Sequence, residues 1–154
     1  NRLKEAETQF DRGLEISSED TFDVLVNVSI AFENVRHFEL AIKYLIQAYH
    51  QQPENLSVLY DLGYFYDRMH RFDESLKYYQ QYLDLDSYSD NVWYNIGIVY
   101  HKLENFEKAI EAYDFSIAIN PFGYFFTLYK FSFFLYEIKE AQDQDSYFYI
   151  VRLN

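Results

Sequence analysis

Apolar residues along the chain recur at steps of three and four, the spacing that puts side chains on one face of a helix. Trp93, Ile96, Gly97 and Tyr100 form one such face. Phe106, Ala109, Ile110, Tyr113 and Ile117 form a second, after a short break around Glu104–Asn105. The same two-helix pattern returns every 34 residues. The only two prolines, Pro53 and Pro121, lie two periods apart, and Gly63 and Gly97 lie one period apart. Phe38, Phe72 and Phe106 form a row at this interval, and Phe32, Tyr66 and Tyr100 form another. A row of small residues runs through Ala41, Ser75 and Ala109, and Leu45, Tyr79 and Tyr113 complete the set. So many coincidences at one interval mark a repeat architecture.

Three complete units follow: Phe22–Asn55, Leu56–Ser89 and Asp90–Gly123. Within each, a small residue lets two helix backbones approach closely, and at the end of the third Pro121 can stop the second helix and direct the turn. Leu3, Ala6, Phe10, Leu14 and Ile16 match the second-helix pattern, so the chain begins in mid-unit, with residues 1–21 as a half repeat. After Gly123 the pattern weakens. Leu128, Phe131, Ser132, Leu135 and Ile138 fit a first helix with one residue inserted, and Tyr147, Val151 and Leu153 fit a second. The expectation is a single all-α domain of nine helices, residues 124–154 being a degenerate repeat or cap.

The unit Trp93-Tyr-Asn-Ile96-Gly97…Tyr100…Ala109…Tyr113…Pro121 resembles the tetratricopeptide repeat, a helix–turn–helix unit of about 34 residues. The resemblance covers Leu3 to Gly123 with specific motifs and the remainder loosely. It implies helical pairs stacked as a right-handed superhelical solenoid, because no unit buries its apolar face alone. Three departures stand out. Ser29 replaces the glycine of the first full unit, Ser87 stands where the second would have its proline, and Tyr82 is large where Ala48 and Ser116 are small. Helix packing near Tyr82 is therefore expected to differ from that of its neighbours.

The resemblance also implies a function. The family's concave face is lined by first helices and holds a peptide or partner helix, without chemistry of its own. Carried over here, that groove contains Asn27, Ile30, Tyr60, Asp61, Tyr64, Tyr94, Asn95, Ile98 and His101. Around them lie Asp23, Glu33, Asp67, Arg68 and Lys102, so the face is mildly acidic. The family's clamp for the C-terminal carboxylate of heat-shock chaperones needs cations on successive first helices. The matching places hold Val26, Asn27, Ile30, Asp61, Asn91 and Asn95; the cations are missing, and Asp61 would repel an anionic tail. The expected partner is a protein or peptide segment, neutral to basic, with apolar or aromatic anchors. Tyr60, Tyr64 and Tyr94 would pack its side chains, and Asn27 and Asn95 would hydrogen-bond its backbone.

Other aromatics read as structure. Trp93, Phe38, Phe72, Phe106, Tyr66, Tyr79, Tyr100 and Tyr113 fall at packing offsets within or between helix pairs. Tyr124–Asn154 adds 11 aromatics in 31 residues. Three readings of that tail stand side by side: the chain continues into another repeat, the tail forms a surface for homo-oligomers, or it folds over its own last helices.

Composition narrows the remaining choices. With 49% hydrophobic and 25% charged residues the 154-residue chain is globular in type. Its net charge of −12 is opposite to a nucleic-acid footprint. The apolar runs are too short for a membrane span. The chain has no cysteine, which excludes disulfides and thiolate chemistry and points to a reducing, cytoplasmic setting. No pair among His37, His50, His70 and His101 has the spacing of a helical metal site, and no phosphate loop or nucleophile elbow occurs. The acid pairs Asp84/Asp86 and Asp143/Asp145 fall at helix ends or turns, where nothing raises one pKa for acid–base work. The sequence is read as non-catalytic, with no cofactor and no metal. Two further readings stay open: self-assembly through the aromatic end, and a regulatory segment of a larger protein.

Overall fold

The computed structural model describes residues 2–16 and 21–121, and every regular element among them is helical. α1 spans Arg2–Ile16, α2 Phe22–Asn34, α3 Phe38–Gln51, α4 Leu56–Arg68, α5 Phe72–Leu85, α6 Asp90–Lys102 and α7 Phe106–Ile119. The helices pair as hairpins, α2 with α3, α4 with α5 and α6 with α7, and α3 and α5 pack onto the next hairpin through α4 and α6. Each helix turns an apolar stripe toward its partner, which is what keeps an amphipathic helix folded in water. Of the nine expected helices, the two in residues 124–154 lie outside the described residues, and so does the expected self-assembly surface.

The turns inside the hairpins repeat as faithfully as the helices. Arg36, His70 and Glu104, each one period apart, adopt left-handed backbone with φ of 60°, 58° and 57°. The next amide donates back across the turn in each case: His37 N–H to Phe32 O, Arg71 N–H to Tyr66 O and Asn105 N–H to Tyr100 O, all at 2.9 Å. This is the Schellman closure, which satisfies helix-end carbonyls and ordinarily favours glycine. The chain performs it three times without one. The left-handed region costs a side-chain-bearing residue about 1–2 kcal/mol, partly offset because glycine loses more entropy on folding. Glu104→Gly is therefore expected to stabilise the fold by roughly 0.5–1 kcal/mol, seen as a rise in Tm by thermal melting.

From α2 to α7 the core falls into two clusters. Phe22, Leu25, Val28, Phe32, Leu45, Leu59, Leu62 and Phe65 are buried in its first part, and Tyr79, Leu83, Val92, Ile96, Val99 and Ala112 in its second. Of the aromatics read as structural, Tyr66, Tyr79 and Tyr113 are buried, whereas Phe38, Phe72, Trp93, Tyr100 and Phe106 are half-buried.

Glycine sets the spacing of two hairpins. A Cβ on Gly63 would lie 2.5 Å from the Tyr79 ring, and a Cβ on Gly97 would overlap the Tyr113 ring as severely. In the first full unit the matching pair is Ser29 and Leu45, both fully buried. A leucine there leaves room for a serine, whose hydroxyl donates to Val26 O at 2.7 Å. The missing glycine of the first unit is thus explained by its partner. In the small-residue row of the second helices, Ser75 donates to Gly63 O at 2.8 Å, fastening α5 to α4. Tyr82, the misfit by size, is half-buried and sets its ring edge-on to Tyr60, 6.5 Å away, where it joins both parts of the core.

Candidate functional site

The first helices of the three hairpins, α2, α4 and α6, present matching positions one period apart. Asn27, Asp61 and Asn95 form one row, and Ile30, Tyr64 and Ile98 form another. Tyr60 and Tyr94 form a third, with His101 near the C-terminal end of α6. Asn27 and Ile30 are exposed, Ile30 at 40%. Tyr60, Asp61, Tyr64, Tyr94, Asn95, Ile98 and His101 are half-buried. None of the nine is taken into the core.

Half-burial has definite causes. Tyr60 packs edge-on against Tyr79 as well as Tyr82, with centroids 6.1 and 6.5 Å away. Tyr64 leans on Phe65 at 5.8 Å and Tyr94 on Tyr113 at 5.7 Å. The tyrosines are therefore braced by the core and offer a ligand only part of each ring. The Asn95 amide donates to the Tyr60 hydroxyl at 3.1 Å, tying α6 to α4 across the row. Two residues read separately from the sequence as ligand contacts thus hold each other, and Asn95 also hydrogen-bonds the buried Tyr79 hydroxyl.

The charges are divided unevenly. At the α4–α6 end, Lys102 Nζ donates to both oxygens of the buried Asp67 carboxylate at 2.8 and 2.7 Å. That acid is neutralised. One period earlier the corresponding residues are Glu33 and Arg68, and the Arg68 guanidinium lies over the Phe38 ring instead, 5.6 Å from its centroid. Among the described residues no cation forms an ion pair with Glu33 or Asp61. Burial, aided by the nearby Glu33 charge, pushes the Asp61 carboxyl up from 3.8 to about 6. The α2–α4 end is therefore the acidic end of this face. The sequence supplied the residues of that contrast but not the contrast itself, which depends on which way two long cations swing.

Among the described residues no cluster of His, Asp and Glu could hold a metal ion. No helix among them is long and apolar enough to cross a membrane.

Comparison with known proteins bears on the family and the fold. Two models of the tetratricopeptide repeat match, one over residues 29–90 and one over 91–122. The chain belongs to the tetratricopeptide repeat family. No curated protein sequence matches it. Among solved structures it is similar to YrrB, described as a tetratricopeptide repeat protein with an unusual peptide-binding site, with TM-score 0.73 and 25% identity over 84% of this chain and 66% of that one. It is similar to MamA with TM-score 0.66 and 20% identity, over 77% of this chain and 73% of that one. It is also similar to the second tetratricopeptide repeat domain of Spaghetti (RPAP3) bound to the HSP90 peptide SRMEEVD, with TM-score 0.61 and 14% identity over 66% and 94%. These likenesses establish an all-α tetratricopeptide repeat solenoid.

Proposed function

We propose that this chain is a non-catalytic interaction scaffold that seats a partner segment on the face formed by α2, α4 and α6. The observation that carries the reading is the row structure of that face. Eight of the nine side chains recur at the repeat interval, His101 being the exception, and all nine stay accessible. Peptide binding by YrrB and by the RPAP3 domain supports it. Unlike the HSP90 peptide SRMEEVD, which is acidic toward its end, the segment proposed here is neutral to basic. Asp61 and Glu33 favour a lysine, an arginine or an N-terminal amine, and Ile30, Tyr64 and Ile98 favour apolar anchors.

A displayed random-peptide library, selected on the full chain, tests this. The expected winners pair a basic residue with aromatic or aliphatic anchors and lose at least tenfold in affinity with Ile30→Asp or Asp61→Lys. Winners indifferent to both substitutions would refute the reading.

Asp61 adds a pH signature. Its folded pKa is raised above the unfolded value, so the folded state takes up the proton first. Stability then rises as pH falls from neutrality through about 6 toward 3.8. Asp61→Asn should abolish this segment of the profile and stabilise the chain at pH 7 by about 1–2 kcal/mol, after discounting for solvent access. Binding of a cationic peptide should change in the opposite sense, weakening as pH falls through 6. Urea melts and titrations across pH 5–8 read both effects.

A further inference from the structure

Another face of α6 carries a separate feature. In the first full unit the Tyr44 ring, on α3, stacks parallel and offset on Phe32 of α2, with centroids 5.5 Å apart and planes 1° apart. In the second, Tyr78 of α5 stacks on Tyr66 of α4 at 5.5 Å and 2°. The third unit keeps the lower ring, Tyr100, but has Ala112 where the upper one belongs. The space is not closed by repacking. A half-open cavity of about 270 Å³ remains between α5, α6 and α7, lined by Leu76, Trp93, Ile96, Tyr100, Ala112 and Phe115 together with the polar Gln80, Lys108 and Glu111. The lower ring shows the vacancy: Phe32 and Tyr66 are 3% and 7% exposed and buried, whereas Tyr100 is only half-buried. Trp93 and the exposed Phe115 stack on each other at 4.5 Å along the wall.

We propose that this cavity is a receptor slot for one aromatic side chain, tyrosine or phenylalanine, supplied by a partner polypeptide. The fold itself states the chemistry of the occupant, since it fills the two equivalent slots with a tyrosine in the same stacked geometry. The size agrees. An apolar cavity of about 150 Å³ accepts a benzene ring, and drug-sized ligands need about 300 Å³ or more. Stacked ring pairs gain attraction beyond the area they bury. Lys108 Nζ now lies 5.3 Å from the Tyr100 centroid, and this flexible cation covers the ring only until a flat group displaces it. The slot opens away from the row containing Tyr94, Asn95 and Ile98, so it stands whether or not the groove reading does.

The test is a titration of the full chain with p-cresol, the free tyrosine side chain, followed through the indole N–H resonance of Trp93, the only tryptophan. The expected result is a saturable shift with a dissociation constant on the order of 1 mM, given the small number of atoms. Ala112→Tyr should abolish the shift and raise Tm, because it completes the third stack. Tyr100→Leu, which keeps the apolar wall but removes the stacking surface, should weaken binding at least fivefold. 4-Methylcyclohexanol, of similar size but without a flat face, should bind at least fivefold more weakly than p-cresol. No saturable shift, or equal binding by wild type and both variants, would overturn the proposal. A slot already filled by residues 122–154 or by a second copy would give that null titration in wild type, and would equally overturn a ring supplied by a partner.

Discussion

Gly97→Ala should destabilise the chain by about 2 kcal/mol, although alanine is the better helix former. In an exposed helix the exchange would gain roughly 1 kcal/mol. Here the new methyl would overlap the ring of Tyr113, which is only 6% exposed and packs against Tyr94. Overpacking of a filled core costs about 1–3 kcal/mol and occasionally more, so the clash outweighs the propensity. The first full unit names the remedy: Ser29 faces Leu45 where Gly97 faces Tyr113. Tyr113→Leu alone should cost about 2 kcal/mol through the cavity it leaves. Combined with Gly97→Ala it should cost much less than the sum, with a coupling of about 2 kcal/mol in a double-mutant cycle from urea melts. Strict additivity would mean that the glycine does not set the α6–α7 spacing.

The second large effect is electrostatic. Lys102→Met should cost about 2 kcal/mol. Asp67 is 8% exposed and receives both hydrogen bonds from Lys102 Nζ. Losing one partner of a buried pair leaves a charge without compensation, a loss of about 3–5 kcal/mol when the pair is fully enclosed. The lysine side chain is 38% exposed, so water re-enters and moderates the loss. Adding Asp67→Leu should recover most of the stability, because a well-packed apolar pair replaces an ion pair at little cost. If Lys102→Met melts like wild type in urea, the bridge contributes nothing and α4 and α6 are held by apolar contacts alone.

The architecture was legible because repetition makes rare residues informative. Gly63 with Gly97 and Pro53 with Pro121 mark the period, and helical spacing fixes which residues face inward. The rows of the candidate face follow from the same arithmetic, so the chain positions of Asn27, Asp61 and Asn95 could be named in advance. What could not be read was pairing between side chains. The Tyr60–Asn95 bond and the Lys102–Asp67 bridge each span 35 residues and depend on how neighbouring hairpins are offset. The swing of Arg68 onto Phe38, which leaves Asp61 and Glu33 as the acidic end, is a rotamer choice that no pattern encodes. The left-handed turns at Arg36, His70 and Glu104 lack the expected glycine, so composition hid three of the sharpest bends. The substitution of Ala112 for a stacking tyrosine is visible in the sequence only after Tyr44 and Tyr78 are known to stack.

The most direct test of the scaffold reading is a nuclear magnetic resonance footprint of the full chain with a selected basic peptide. The side-chain amides of Asn27 and Asn95 and the methyls of Ile30 and Ile98 report on α2 and α6, at the two ends of the proposed face. The account predicts that these resonances shift together and saturate at one peptide concentration, while the exposed faces of α3, α5 and α7 stay unmoved. Perturbations confined to α3, α5 and α7, with Asn27, Ile30, Asn95 and Ile98 unchanged at saturation, would contradict it.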